Sequence, residues 1–112
     1  MANHERELLK GSTDCLVLSV ISDHTTYGYE LIKELEARSG GYFRFREGTL
    51  YPALHRMEKN GLIEGNWQTI STGQERRYYH ITDKGREALE HKRKTWTDFS
   101  AAVHSVLTAE PA

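Results

Sequence analysis

Apolar residues recur along this chain at helical spacing as far as Gly61, and closer to every second position from there to Ile81. Between Leu8 and Ile21, Leu9, Leu16 and Val20 form one stripe. Leu8, Cys15, Leu18 and Ile21 widen it until the segment is apolar most of the way round, with Ser12 and Asp14 on its polar side. A helix apolar on two faces needs two partners, one the domain core and the other a second segment or a second chain. Ser22 to Thr26 reads as a turn, with Thr25 or Thr26 placed to cap the next helix. That helix covers residues 27–39, where Gly28, Leu31, Ile32 and Leu35 fall at i, i+3, i+4 and i+7. Glu34 and Arg38 pair across one turn of it, and Gly40 and Gly41 end it. Residues 42–46 then cross as a short extended piece, Phe43 and Phe45 alternating with Arg44 and Arg46.

Residues 47–61 form the helix around which the rest is organised. Leu50, Leu54 and Met57 make a single buried stripe, while Gly48, Pro52, His55 and Lys59 point the other way, flanked by Tyr51 and Arg56. Pro52 is expected near the helix start, where its missing N–H has no partner to lose, and Gly61 supplies the stop. The outer face carries a phenol, an imidazole and two cations, groups that hydrogen-bond base edges and phosphates. An ordinary amphipathic surface helix has the same apolar stripe, so this helix alone does not separate the two readings.

After Gly61, residues 62–70 and 76–81 read as two antiparallel strands, with Tyr79 and Ile81 on one face and Tyr78 and His80 on the other. Gly73 serves the polar turn between them. Two helices joined by a turn and followed by a hairpin are the layout of a winged helix-turn-helix. Arg76 and Arg77 then stand where the wing loop meets the returning strand, able to grip phosphates or enter a minor groove. The bland alternative is that Arg77 pairs with Glu75 or Glu64 on the surface. Thr82 and Asp83 open a last helix running to about Leu107. In it Leu89, Trp96, Phe99, Val103 and Val106 keep a 3–4 spacing, with Lys92 as the polar position in the seam. So long a stripe exceeds what the winged core can cover, which points to a second copy.

Charge modifies this picture. The total is −1, but residues 42–94 hold eleven Lys/Arg against seven Asp/Glu, whereas residues 1–41 hold four against seven. The basic excess therefore surrounds the central helix and wing. The acidic first third keeps alive an alternative: a winged module that contacts protein and no DNA. Cys15 is the only cysteine and reads as a small buried hydrophobe, which excludes an internal disulfide. The polar start of the chain is unlike a signal peptide and no apolar run reaches membrane-spanning length, so a cytoplasmic protein without membrane contact is expected. The six histidines show no metal-ligand spacing, no Gly-rich phosphate loop is present and no catalytic cluster stands out. We therefore expect no enzyme, no metal and no cofactor.

Five blocks carry a resemblance: Leu9-Lys-Gly-Ser, Tyr27-Gly-Tyr-Glu, Glu47-Gly-Thr-Leu-Tyr-Pro, Leu54-His-Arg-Met-Glu-Lys-Asn-Gly-Leu-Ile and Arg76-Arg-Tyr-Tyr-His-Ile-Thr. Together and in this order they resemble the PadR family of bacterial transcriptional regulators, in its short subgroup with a single C-terminal helix. The resemblance implies a mainly α fold with a small β-hairpin. Residues 1–81 would form a winged helix-turn-helix and residues 82–112 a C-terminal dimerisation helix. It implies a homodimer that represses at an inverted repeat of double-stranded DNA. By position, Thr49, Tyr51 and His55 look like the base-reading set, Arg56 and Lys59 like phosphate contacts, and Arg76 and Arg77 like the wing's contacts. Some short members bind planar hydrophobic compounds between protomers. Here Trp96 and Phe99, with Leu8, Cys15 and Ser19 opposite and Val103 further along the seam, would form such an effector or dimer surface. Between those two, a dimer anchor is the commoner use of an aromatic residue at an interface.

Overall fold

The computed structural model describes residues 12–111. The elements are α1 (Thr13–Asp23), β1 (Thr26–Tyr27), α2 (Gly28–Arg38), α3 (Glu47–Lys59), β2 (Ile63–Thr69), β3 (Glu75–Ile81) and α4 (Asp83–Leu107). Among the described residues four helices pack with a three-stranded antiparallel sheet in the order β1-β3-β2. This is the mainly α, winged architecture with one long C-terminal helix that the pattern predicts.

The core is built from the expected stripes. Leu50, Leu54 and Met57 of α3 are wholly buried, as are Val17 and Leu18 of α1, Leu31 of α2 and Ile63 of β2. On β3, Tyr79 and Ile81 face this core while Tyr78 and His80 lie half-buried on the other side. The proposed start of the first helix at Leu8 and Leu9 lies outside the described residues.

Both helix stops are Schellman closures on glycine. At the end of α3, Leu62 N–H donates to Met57 and Gly61 N–H to Glu58, with Gly61 at φ 77°. At the end of α2, Gly41 and Gly40 do the same to Glu36 and Ala37. The wing turns at Gly73 (φ 86°), whose N–H donates to Ile70 while Ile70 N–H donates to Gln74.

Three details differ from the sequence reading. First, the turn before α2 contains a strand: Thr26 pairs with Tyr79 and Tyr27 with Tyr78. Second, neither Thr25 nor Thr26 caps α2. Its N-cap is Tyr27, without a side-chain bond, because the buried Thr26 hydroxyl is turned toward Glu30 instead. Third, Pro52 is the sixth residue of α3, past the first turn, since Leu50 N–H already bonds the Arg46 carbonyl. Pro52 thus removes a bond that the Gly48 carbonyl would accept; both residues face solvent, where water can take it.

The junction of α3 with α4 fixes the end of α3. Thr82 caps α4 by accepting from Gly85 N–H at 3.0 Å, and its hydroxyl donates to the Gly61 carbonyl at 2.6 Å. Lys84 Nζ donates to the Asn60 carbonyl at 2.8 Å. Terminal carbonyls of one helix are thereby satisfied by the first turn of the next. The approach is so close that a Cβ on Gly85 would lie 2.0 Å from the Leu62 carbonyl oxygen. Beyond Leu89, the last buried residue of α4, the helix runs on with its side chains largely exposed.

Candidate nucleic-acid interface

Burial of the α3 stripe forces the opposite face outward. Thr49, Tyr51, His55, Arg56 and Lys59 are all exposed. Tyr51 is steadied from below by Gly28, the first residue of α2: a Cβ there would lie 2.6 Å from the phenol oxygen. Thus the Tyr27-Gly-Tyr and Gly-Thr-Leu-Tyr stretches meet in space. Arg56 is not free, because its Nη2 donates to Asp14 Oδ1 of α1 at 2.6 Å. His55 and Lys59 stand on the outer face without a polar side-chain partner among the described residues.

Arg76 and Arg77 are adjacent in sequence, so the pleat sends them to opposite faces of β3. Arg77 turns toward α3, where Nη2 donates to Glu58 Oε2 at 2.5 Å; the same oxygen accepts from Gly65 N–H at 3.3 Å. Its guanidinium crosses the bare Cα of Gly65, where a Cβ would lie 2.7 Å from Nε, and stacks toward the Trp67 and Tyr79 rings at 5.4 and 5.9 Å. Arg77 therefore pairs with neither Glu75 nor Glu64; Glu64 faces His80 at 3.0 Å. Arg76 lies on the outer face over the Tyr27 ring, 4.4 Å from its centroid, and Tyr27 meets Tyr78 edge-on. Burial pushes the Tyr79 phenol above its ordinary pKa, with the Arg77 guanidinium partly opposing it.

Between α2, the start of α3 and the wing these side chains enclose an open cleft, lined by Tyr27, Tyr29, Tyr51, Trp67 and Arg76 among others. Tyr29 and Trp67 are more than half exposed, and Lys33 sits 4.8 Å over the Tyr29 ring. From sequence, Gly28 belongs to the apolar stripe of its helix, Tyr27 and Tyr29 to the Tyr-Gly-Tyr-Glu block and Trp67 to the first wing strand, none of them with a binding role, and Glu58 makes no acid/base pair with Glu47. Alternation along β2 and β3 signals that Trp67 faces Arg77; the Glu58 pairing has no local signal.

The expected effector set divides. Cys15 of α1 and Trp96 and Phe99 of α4 line one groove together with Ser12, Lys92 and Thr95. Ser19 is not among the residues lining it, and Val103 joins Phe99, Ala102, Val106 and Leu107 in a second apolar shelf nearer the helix end. Leu8 lies outside the described residues. Burial raises the Cys15 pKa, and the cations Arg93 and Lys92 only partly oppose it, so the thiol stays protonated at neutral pH. Elsewhere, His24, Glu30 and Glu34 converge at the turn between α1 and α2 although their spacing does not advertise it. No helix among the described residues is long and apolar enough to cross a membrane.

Comparison with known proteins agrees with this geometry. Residues 17–91 match the model of the transcriptional regulator PadR-like family. A PadR-like transcriptional regulator of Bacillus cereus is 41% identical, with TM-score 0.81 over 93% of this chain and 99% of that one. Transcriptional regulator Rv3488 of Mycobacterium tuberculosis is 35% identical over 98 residues, 88% of each chain. Bacillus subtilis PadR, solved in complex with operator DNA, shares the fold at TM-score 0.66 and 20% identity, over 71% of this chain and 45% of that one.

Proposed function

This chain belongs to the PadR-like family of transcriptional regulators, and on that premise we propose that it is a cytoplasmic, homodimeric repressor that binds an inverted-repeat operator and is released by a small-molecule effector. The observation that carries the reading is the polar face of α3 set beside the wing, with Tyr51 and Arg76 lining one open cleft. Leu50, Leu54 and Met57 are wholly buried while Thr49, Tyr51, His55 and Lys59 face solvent. In this reading α3 enters a major groove, with Thr49, Tyr51 and His55 at base edges and Lys59 at a phosphate. Arg56 reaches a phosphate by exchanging Asp14 for it. The two wing arginines divide the work. Arg76 contacts the backbone, and Arg77, already compensated by Glu58, sets the angle between wing and helix.

The second copy is supported by the exposed seam of α4. Trp96, Phe99, Val103, Val106 and Leu107 are 41–78% exposed in one protomer, more apolar surface than an isolated helix keeps in water. Pairing these helices sets two α3 faces about one DNA turn apart. The groove lined by Cys15, Trp96 and Phe99 then lies beside that seam, where a planar hydrophobic effector would bias the spacing.

The test is a gel-shift titration on the protein's own upstream promoter fragment at two salt concentrations. With six or more phosphate contacts per dimer, affinity should fall about 1,000-fold between roughly 50 and 200 mM salt. Binding that is absent at low salt, or insensitive to salt, would favour the protein-contact alternative.

A further inference from the structure

Neither the α3 face nor the α4 groove uses the cluster at the turn between α1 and α2. There the nearest donor atoms of His24, Glu30 and Glu34 all lie within 4.8 Å of one another. Glu30 and Glu34 stand one turn apart on the same face of α2, where two carboxylates repel. Each is nonetheless held in place. The buried Thr26 hydroxyl donates to Glu30 Oε1 at 3.0 Å. Arg38 takes Glu34 Oε1 at 2.7 Å, leaving Glu34 Oε2 to face His24 Nε2 at 2.8 Å.

The imidazole itself is oriented. His24 Nδ1 lies 3.1 Å from the Thr25 carbonyl. A carbonyl only accepts, so Nδ1 carries a proton; Nε2 faces a carboxylate oxygen, as an N–H donor in the charged ring or as a free lone pair in the neutral one. A divalent cation entering here would take the place of the Nε2 proton between the imidazole and the Glu34 carboxylate. A histidine whose far nitrogen is held by a backbone carbonyl is also the usual form in which imidazole binds metals.

We propose that this turn is a binding site for a divalent transition-metal ion, with His24 Nε2 and the Glu30 and Glu34 carboxylates as protein ligands. One nitrogen and two oxygens suit Zn²⁺ or Mn²⁺, and the lack of sulfur argues against Cu⁺. The ion can enter, since the three side chains are 42%, 45% and 25% exposed. Closing the shell to Zn–ligand distances of about 2.0–2.2 Å requires the Glu30 side chain to turn from the Nδ1 side of the ring, where its Oε1 lies 3.9 Å away and accepts from Thr26, with water completing the coordination. Such an ion ties the end of α1 to the first two turns of α2. The site is independent of DNA binding and stands or falls separately from it.

Calorimetric titration of the full-length, chelator-treated protein with Zn²⁺ tests it, with Mg²⁺ as control. The expected result is one Zn²⁺ per chain lost on either His24→Asn or Glu34→Gln, each weakening affinity at least about tenfold. Zn²⁺ should raise the thermal midpoint of the wild type and leave both variants where they were. Two results would overturn the proposal: no Zn²⁺ binding up to millimolar concentration, or Zn²⁺ affinity unchanged in both variants, which would assign the metal to other histidines.

Discussion

Arg77 and Glu58 join the wing to α3: Nη2 of one lies 2.5 Å from Oε2 of the other, across 19 residues of sequence. Both side chains are 28% exposed, so the pair is sheltered more than a surface bridge. Arg77→Ala should destabilise the fold by about 1–3 kcal/mol in urea unfolding, because it leaves the Glu58 carboxylate without its partner. Adding Glu58→Gln should restore part of that loss, and a double-mutant cycle measures the coupling. Strict additivity would show that the pair does not hold the wing.

A second close approach links Gly28 to Tyr51, the phenol oxygen lying 2.6 Å from where a Cβ would stand. Gly28→Ala should displace the exposed ring with little change in thermal midpoint, while weakening DNA binding on the preferred site by about 1–3 kcal/mol. In a Tyr51→Ala background the same substitution should cost nothing further, which fluorescence anisotropy on a labelled operator resolves.

Gly85 reverses the ordinary rule. Replacing glycine by alanine inside a helix normally gains about 1 kcal/mol. Here the new Cβ would meet the Leu62 carbonyl oxygen at 2.0 Å, a backbone atom that cannot swing aside. Gly85→Ala should therefore cost about 2–3 kcal/mol. Gly48→Ala is the control, because nothing lies within 4 Å of that position; it should hold or raise stability in the same unfolding assay.

These contacts mark where sequence reasoning stops. The α3 stripe of Leu50, Leu54 and Met57, the alternation of Tyr79 and Ile81 with Tyr78 and His80, and the stops at Gly61 and Gly73 are legible because each is a local period or a local backbone demand. The two-residue strand β1 is not, since Thr26 and Tyr27 are made a strand only by Tyr79 and Tyr78, some fifty residues later. The same holds for Glu58 with Arg77, Gly28 with Tyr51, and Asp14 with Arg56. A run of two arginines reads as one basic patch until the pleat turns one of them inward.

The thiol of Cys15 lies in the groove beside Trp96, and burial holds its pKa above the ordinary value. Since the thiolate is the reactive form, Cys15 should react with Ellman's reagent at neutral pH more slowly than free glutathione does. The rate should keep rising with pH beyond the point at which that of glutathione levels off. A rate at pH 7 equal to that of glutathione would mean an open, unperturbed thiol and no groove at that position.

The last prediction concerns the α4 seam. Phe99 is 60% exposed and joins the Trp96 groove to the shelf of Ala102, Val103, Val106 and Leu107. An aromatic at the centre of such a patch is where an interface concentrates its binding energy, so truncating or charging it costs about 2 kcal/mol or more. In the proposed dimer Phe99→Glu puts a charge there, against its own copy across a two-fold axis. The single protomer buries little of this side chain, so the substitution should leave the helical circular dichroism and the unfolding midpoint of the core nearly intact. Sedimentation should shift from dimer to monomer. Affinity for a full inverted repeat should fall to that for an isolated half-site, because only the dimer engages both halves at once. A Phe99→Glu protein that stays dimeric and keeps full operator affinity would remove α4 as the dimerisation element.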